Sequence, residues 1–213
     1  MGSLEETQVL ALAEEQISNG AQEQIELGFP YRLVVGLIGT SDLLFHAWNV
    51  ASVAEKAASA KGSKAKKTDD VESYVYRDAD GHLGIAGACL AASVAFSGKF
   101  MQDPRSPRKS AYDLCRAGVI ALDAVAAFQP LTKQWDYEDA RRVTVQRNGI
   151  TRIRPAMRAG WHAEFNLLIT TPEYLPLPVI AHLLSQAGRL CGLCDFRPTF
   201  GRFAVERLEV LEA

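Results

Sequence analysis

The chain has 213 residues, of which 48% are hydrophobic and 23% charged, and its formal net charge is −2. These values are close to those of soluble globular proteins, and they fit one large domain or two small ones. The sequence lacks the roughly 18 consecutive apolar residues of a membrane-spanning helix, a secretory signal and enough cysteines for a disulfide framework, so we expect a cytoplasmic protein with reduced thiols.

Charge is distributed unevenly along the chain. Residues 1–28 carry six glutamates and no basic residue, whereas residues 141–158 carry six arginines and no acidic residue. Such asymmetry is a sign of a polyanion-binding face. Apolar residues recur at loosely helical spacing in the first segment, so we predict an acidic, partly helical arm at 1–28 that packs on its own domain or on a neighbouring copy. These residues are Leu4, Val9, Leu12, Ala13 and Ile17.

The folded body is expected to begin with a buried strand at 34–38. Thr40, Ser41 and Asp42 follow it and are suitable N-caps, which predicts a helix from about 43 to 59. The segment 60–70 contains four lysines and no large apolar residue before Val71, so it predicts an exposed basic loop.

The middle of the chain gives mixed signals. The sequence DADG predicts the turn of a hairpin, and a small-residue helix is expected from about 88 to 97. The sequence QDPRSPRKS predicts a second basic loop. Periodicity does not decide between helix and strand for 111–128.

The last third of the chain predicts strand, helix and strand. RRVTVQRNGITRIRP predicts a hairpin joined at Asn148-Gly149, WHAEFNLLIT a strand, LPLPVIAHLLSQAGRL a helix started by proline, and FGRFAVERLEV the closing strand. This order favours one α+β domain at 29–213, a ferredoxin-like (RRM-like) antiparallel sheet with helices on one face. The basic loop at 60–70 and the arginine-rich hairpin at 141–158 are its insertions.

Motifs for catalysis or metal binding are weak. Cys191 and Cys194 form a CxxC pair, but the sequence offers no second pair to complete a zinc site, so we expect no metal and no cofactor. His46 follows the first strand, where an endoribonuclease base could lie, but spacing places no partner beside it. No nucleophile elbow, Walker loop or dinucleotide fingerprint is present, so we expect no catalytic residue.

The arginine hairpin suits a phosphate backbone. Alternate residues of a strand share a face, so Arg152 and Arg154 are predicted to point the same way. Guanidinium groups bind phosphates and stack on bases, and glycines let a backbone approach closely. The predicted nucleic-acid-binding residues are Lys61, Lys64, Lys66, Lys67, Arg142, Arg147, Arg152, Arg154, Arg158, Trp161, Phe196, Arg197, Gly201 and Arg202.

A glycine-rich segment between the last helix and the last strand resembles the signature loop of the RAMP superfamily, the ferredoxin-like proteins of CRISPR effector complexes. The resemblance covers mainly 140–210, and Cys194, Asp195 and Pro198 depart from the usual pattern. It implies a backbone-like subunit whose copies line up along a guide RNA, in a relative that serves a phage or mobile element. The matching residues are Gly188, Gly192, Phe196, Arg197, Phe200, Gly201 and Arg202.

The sequence thus predicts a non-catalytic protein that binds single-stranded RNA or DNA and assembles side by side, as a homo-oligomer or a multi-subunit nucleoprotein, with no membrane partner. Two alternatives stay open. The first is a phage structural or interaction protein whose arginines pair with acidic neighbours and that has no nucleic-acid role. The second is a guide-processing endoribonuclease that uses His46. The sequence does not distinguish RNA from single-stranded DNA.

Overall fold

A computed structural model describes residues 11, 29–47, 71–145 and 148–211. The described residues form an α+β fold with three α-helices and twelve strands. The helices are α1 (Gly87–Ser97), α2 (Tyr112–Gly118) and α3 (Leu177–Gln186), and a π-helical turn (Ala187–Cys191) extends α3. The strands are β1 (Tyr31–Gly39), β2 (Leu43–Leu44), β3 (Tyr76–Arg77), β4 (Leu83–Ala86), β5 (Gln102–Asp103), β6 (Ser106–Ser110), β7 (Val119–Ala121), β8 (Val125–Gln129), β9 (Tyr137–Val145), β10 (Asn148–Met157), β11 (His162–Ile169) and β12 (Phe203–Leu211).

Seven strands form the main sheet, in the order β12-β1-β11-β8-β4-β3, with β7 also pairing with β11. Its strand pairs are antiparallel. Val35 of β1 lies opposite Phe165 of β11 and Leu208 of β12, and all three side chains are buried. The alternation of buried and exposed residues along β11 therefore has the period of two that a sheet with one covered face requires.

Helices α1 and α3 cover one face of this sheet. Leu90 and Val94 of α1 and Ile180 and Leu184 of α3 join the inward side chains of the strands in one core. Each such side chain stabilises the fold by about 1.5–3 kcal/mol through removal from water. The other face carries charge: Arg207 pairs with Glu164 and Glu209, and His162 pairs with Glu206.

The predicted helix at 43–59 is wrong at its start. Leu43 and Leu44 form β2, which pairs with Met157 and Ala156 of β10 in a second sheet of order β2-β10-β9. The reason is burial: Leu43, Leu44 and Phe45 are fully inaccessible, and a run of apolar residues without a polar face suits a strand between two layers better than a surface helix. Residues 48–59 lie outside the described residues.

Asp42 does not cap a helix. Its carboxylate accepts hydrogen bonds from the Tyr137 hydroxyl, at 2.6 Å, and from the backbone amide of Ala159, at 2.8 Å. These bonds tie the end of β1 to the base of the β9–β10 hairpin.

The arginine-rich hairpin is confirmed, but its turn was placed wrongly. Val145 pairs with Asn148, so Asn148-Gly149 belongs to β10 and does not form the turn. Gly149 provides space inside the strand, because a Cβ there would lie 2.8 Å from Nε of Arg142. The Arg142 side chain occupies the space that a larger residue would need.

Of the remaining sequence predictions, some are confirmed and others are wrong. The strands β1, β11 and β12, the β3–β4 hairpin and the helices α1 and α3 are confirmed. The predicted loop QDPRSPRKS is instead a two-stranded hairpin, β5–β6, whose Asp103 accepts hydrogen bonds from Arg105. The ambiguous segment 111–128 contains both kinds of structure, since α2 is followed by β7 and β8. The basic loop at 60–70 lies outside the described residues.

Among the helices that the structure describes, none has the length and apolar content to cross a membrane.

Candidate nucleic-acid interface

The segment after α3, residues 192–201, is a closed loop, here called the glycine-rich loop. The π-helical turn ends where the amide of Gly192 donates to the Ala187 carbonyl, at 2.8 Å. The amide of Leu193 then donates to the Gly201 carbonyl, also at 2.8 Å, and closes the loop. Cys194 and Phe196 inside it have positive φ, at 60° and 52°, so the chain turns sharply.

Gly201 is required by space as well as by conformation. Its φ is +72°, and a Cβ at this position would overlap the backbone carbonyl oxygen of Leu193. Its amide donates to the carbonyl of Asp42, at 2.8 Å. Gly201 is buried, so it holds the loop against the end of β1.

The next residue continues the attachment to the end of β1. The amide of Arg202 donates to the Ser41 hydroxyl, at 2.9 Å, and its carbonyl accepts from the amide of Thr40, at 2.8 Å. The Arg202 side chain is exposed, and its Nε donates to the Pro198 carbonyl across the loop, at 2.8 Å.

Arg154 connects the hairpin to the glycine-rich loop from inside the protein. It is 2% exposed, its Nε donates to Oδ2 of Asp195 at 3.0 Å, and its guanidinium lies 4.1 Å from the centre of the Tyr74 ring. Asp195 also donates its backbone amide to the Leu44 carbonyl, at 2.9 Å. A buried charge requires such a partner, so the side chain of Arg154 serves to position the loop.

A cation–aromatic cluster lies where the hairpin and the loop meet. The guanidinium of Arg141 lies 4.4 Å from the ring centre of Phe200 and 5.0 Å from that of Phe196. Both rings are half-buried. Arg141 also pairs with Asp139, which lies just before the acid-free segment 141–158. The cluster presents a planar cation and two partly exposed aromatic rings, and such groups stack on nucleobases.

Apart from Arg154, Phe196 and Gly201, the predicted site residues fall into three groups. Trp161 is buried at 5% exposure and donates from Nε1 to the Ser41 carbonyl, at 3.0 Å, so it belongs to the core beside Phe128. Five arginines reach the surface at least partly and make no ion pair among the described residues: Arg142, Arg152, Arg158, Arg197 and Arg202. The side chains of Lys61, Lys64, Lys66, Lys67 and Arg147 lie outside the described residues.

Three further residues belong to this site but were not among the predicted binding residues: Arg141, Phe200 and Asp195. Arg141 lies directly opposite Arg152 in the hairpin register, whereas a turn at Asn148-Gly149 would have placed it opposite a residue further along the strand. Asp195 carried no signal, because its partner lies 41 residues away in the chain.

The two cysteines of the CxxC pair have different surroundings. Cys191 is buried, whereas Cys194 forms a hydrogen bond with Cys89 of α1, and all four cysteines are free. The pKa of Cys89 is lowered to about 7. The main cause is the hydrogen bond from Cys194; burial opposes it, and the nearby charge of Arg197 acts in the same direction as the hydrogen bond.

Within the described ranges, three potential metal ligands come together only at the β3–β4 turn, where Asp78, Asp80 and His82 lie. The carboxylate of Asp78 already accepts hydrogen bonds from the amides of Asp80 and His82, which explains the arrangement as a turn.

His46 lies beside the buried ion pair. Its Nδ1 is 3.6 Å from Oδ2 of Asp195, its ring meets Tyr74 edge-on at 5.7 Å, and its side chain is 44% exposed. Burial lowers the pKa of His46, Arg154 lowers it further, and Asp195 opposes them. The imidazole is therefore mostly neutral at pH 7, and the fold supplies the carboxylate partner that sequence spacing could not.

A scan against protein-family models finds no match for this sequence, and a search of curated proteins finds no significantly similar one. Function is therefore inferred from the side chains and distances given above.

Replacement of Gly201 by alanine tests whether the loop depends on close backbone contact. Gly81 is the matched control, because its φ of +81° is similar but a Cβ there would meet nothing within 4 Å. We expect Gly81→Ala to lower the free energy of unfolding by about 1 kcal/mol through backbone strain, and Gly201→Ala by about 3 kcal/mol or more through strain and overlap. Urea unfolding measures both, and equal losses would show that the overlap with Leu193 is relieved at no cost.

Proposed function

We propose that the protein binds single-stranded nucleic acid, RNA or single-stranded DNA, without catalysing a reaction. The binding surface is formed by the β9–β10 hairpin and the glycine-rich loop. The observation that carries this proposal is the cluster of Arg141 with Phe196 and Phe200, in a hairpin and loop whose other exposed arginines have no acidic partner among the described residues. Guanidinium groups neutralise phosphates, and stacking on rings contributes about 1–3 kcal/mol per base.

The distribution of acidic partners supports this surface over the open face of the main sheet. Two of the described acids next to the hairpin are engaged, since Asp139 pairs with Arg141 and Asp195 with Arg154, while Glu138 of β9 is exposed. On the open sheet face, Glu164 and Glu209 both contact the single Arg207. A phosphate chain would therefore meet an excess of positive charge at the hairpin and an excess of negative charge on the sheet.

The arginines of the glycine-rich loop suit a fixed path for the strand. Arg197 and Arg202 are exposed, and the loop that carries them is held at Gly201 and Arg202 by bonds to Asp42 and Ser41. A cation on a rigid backbone loses less conformational entropy when it binds than one on a mobile loop. We assign Arg154 a positioning role here, because its side chain is buried.

We further propose that the core is ferredoxin-like and that the protein is related to the RAMP superfamily. In support, the four strands β1, β7, β11 and β12 lie in the order β12-β1-β11-β7, each antiparallel to its neighbour. Chain order is then last, first, third, second, with α1 in the first crossover and α3 in the second. The glycine-rich loop lies between α3 and the last strand, where the resemblance expects it. Side-by-side assembly along a nucleic acid in the cytoplasm is part of this proposal.

Removal of the two loop arginines tests the binding surface. We expect the variant Arg197→Ala/Arg202→Ala to bind a labelled single-stranded oligonucleotide about tenfold more weakly, with a salt dependence reduced by about one to two phosphate contacts. Fluorescence anisotropy with oligo(U) and oligo(dT) at several salt concentrations measures this. Arg207→Ala removes a paired arginine from the sheet face and is the control that should leave affinity almost unchanged.

Two results would contradict the proposal. Weakening by Arg207→Ala that is equal per charge removed would show that the effect follows total charge and not this surface. Absence of binding to either oligonucleotide, in a wild-type protein that assembles alone, would favour a structural or interaction protein without a nucleic-acid role.

A guide-processing endoribonuclease is the second candidate function, favoured by the position of His46. A mostly neutral imidazole beside Asp195, close to the cations of Arg152 and Arg154, is a possible general base for attack by a ribose 2′-hydroxyl. The non-catalytic proposal predicts that the wild-type protein leaves a hairpin RNA intact. Cleavage that His46→Ala abolishes and His162→Ala preserves would instead establish this candidate, since His162 pairs with Glu206 on the sheet.

A further inference from the structure

A groove runs along the outer side of α1. Of the proposed nucleic-acid contacts, only Arg197 lines it. The volume of the groove is about 630 Å³. One wall is the helix face that carries Ala88, Ala91 and Ala92, and the opposite wall includes Tyr112 of α2 and Ile120 of β7. Alanine side chains are small and leave space along this face of the helix, so the groove follows the helix axis.

Large apolar side chains are exposed at this groove. Phe96 and Ile120 line it, and each is 44% exposed. Exposed apolar side chains that line one concave surface are typical of a docking site. The shape and the apolar lining therefore fit a helix with one apolar face.

The charges at the groove favour an acidic occupant. Arg116 and Arg197 line it, and neither makes an ion pair among the described residues. Lys99 lies beside it, with Nζ 4.2 Å from the ring centre of Phe96. The one acid in the lining, Asp123, is occupied by hydrogen bonds from Asn166. Docking of a second copy by the same groove would bring the arginines of both copies together, which disfavours that occupant.

The N-terminal arm of this chain has the matching composition. Residues 1–28 carry six glutamates and no basic residue, and their apolar residues recur at loosely helical spacing. A helix over residues 4–17 would be about 21 Å long. Helix α1, with 11 residues, is about 16 Å long. An apolar face with acidic flanks complements an apolar groove with a cationic rim.

The arm also joins the folded domain close to the groove. Tyr31 of β1 pairs with Ile169 of β11, and Ile169 pairs with Val119, which lines the groove. Adjacent strands lie about 4.8 Å apart, so the start of β1 is about 10 Å from the groove. Residues 18–28 span up to about 35 Å when extended, so the arm reaches the groove without strain.

We propose that the acidic N-terminal arm docks into the α1 groove of its own chain. Its apolar residues contact the alanine face, Phe96 and Ile120, and its glutamates contact Arg116 and, while no nucleic acid is bound, Arg197. The contacts with the alanine face and Arg116 do not depend on nucleic-acid binding.

Hydrogen–deuterium exchange of the full chain without nucleic acid tests the docking. We expect amides of residues 4–17 to be protected in the wild-type protein, and to exchange about tenfold faster in Ala92→Glu, which places a like charge in the groove. Ala159→Glu, the same substitution at an exposed alanine outside the groove, should leave the protection intact. Leu12→Glu changes the arm itself and should give the same loss as Ala92→Glu, whether or not the groove variant folds well.

Three outcomes would overturn the docking: an arm that exchanges at unprotected rates in the wild-type protein, protection that survives both Ala92→Glu and Leu12→Glu, and protection that appears only at high protein concentration. The last would assign the arm to a neighbouring copy. Because no nucleic acid is present, a failure here is separate from a failure of the proposed function.

Discussion

The ion pair between Arg154 and Asp195 is the interaction on which the proposed site depends. It joins the β9–β10 hairpin to the glycine-rich loop, two segments that meet only in the folded chain, and it does so at a buried position. Removal of one partner from a buried pair leaves an uncompensated charge, which is strongly destabilising. The cation that the hairpin supplies therefore helps to hold the loop in place. Asp195 also bonds through its backbone to Leu44, so β2 is fixed at the same point.

The attachment of the glycine-rich loop to the hairpin and to β2 explains how a loop with exposed arginines can be rigid. Gly201 and Arg202 bind the backbone at the end of β1, and Asp195 binds Arg154, so the loop is attached at both of its ends. Arg141 then meets Phe196 and Phe200 at the outer edge of the contact. In the function we propose, the buried arginine orders the surface, and the exposed arginines bind phosphates.

Much of the fold was predictable because hydrophobic period and turn chemistry act locally. The strands β1, β11 and β12 and the helices α1 and α3 have these patterns in their own residues. The errors have tertiary causes: residues 43–45 became strand and core because the hairpin base covers them, and Asn148-Gly149 lies in a strand because Asn148 pairs with Val145 and Gly149 with Thr144. In the candidate site, the exposed arginines could be predicted from the distribution of charge along the chain alone. The pairing of Arg154 with Asp195 could not, since 41 residues separate them.

Nucleic-acid affinity of Asp195→Asn, compared with Asp139→Asn, tests the central claim most directly. Each substitution removes one negative charge near the arginine surface, so simple electrostatics predicts tighter binding for both. If Asp195 holds the loop in place, Asp195→Asn binds a single-stranded oligonucleotide more weakly than the wild-type protein, whereas Asp139→Asn, which frees Arg141, binds as well or better. The dissociation constants are measured at one salt concentration, on variants whose circular dichroism shows them folded. They decide between a simple electrostatic effect and a positioning role for Asp195. Tighter or unchanged binding by Asp195→Asn would contradict the claim.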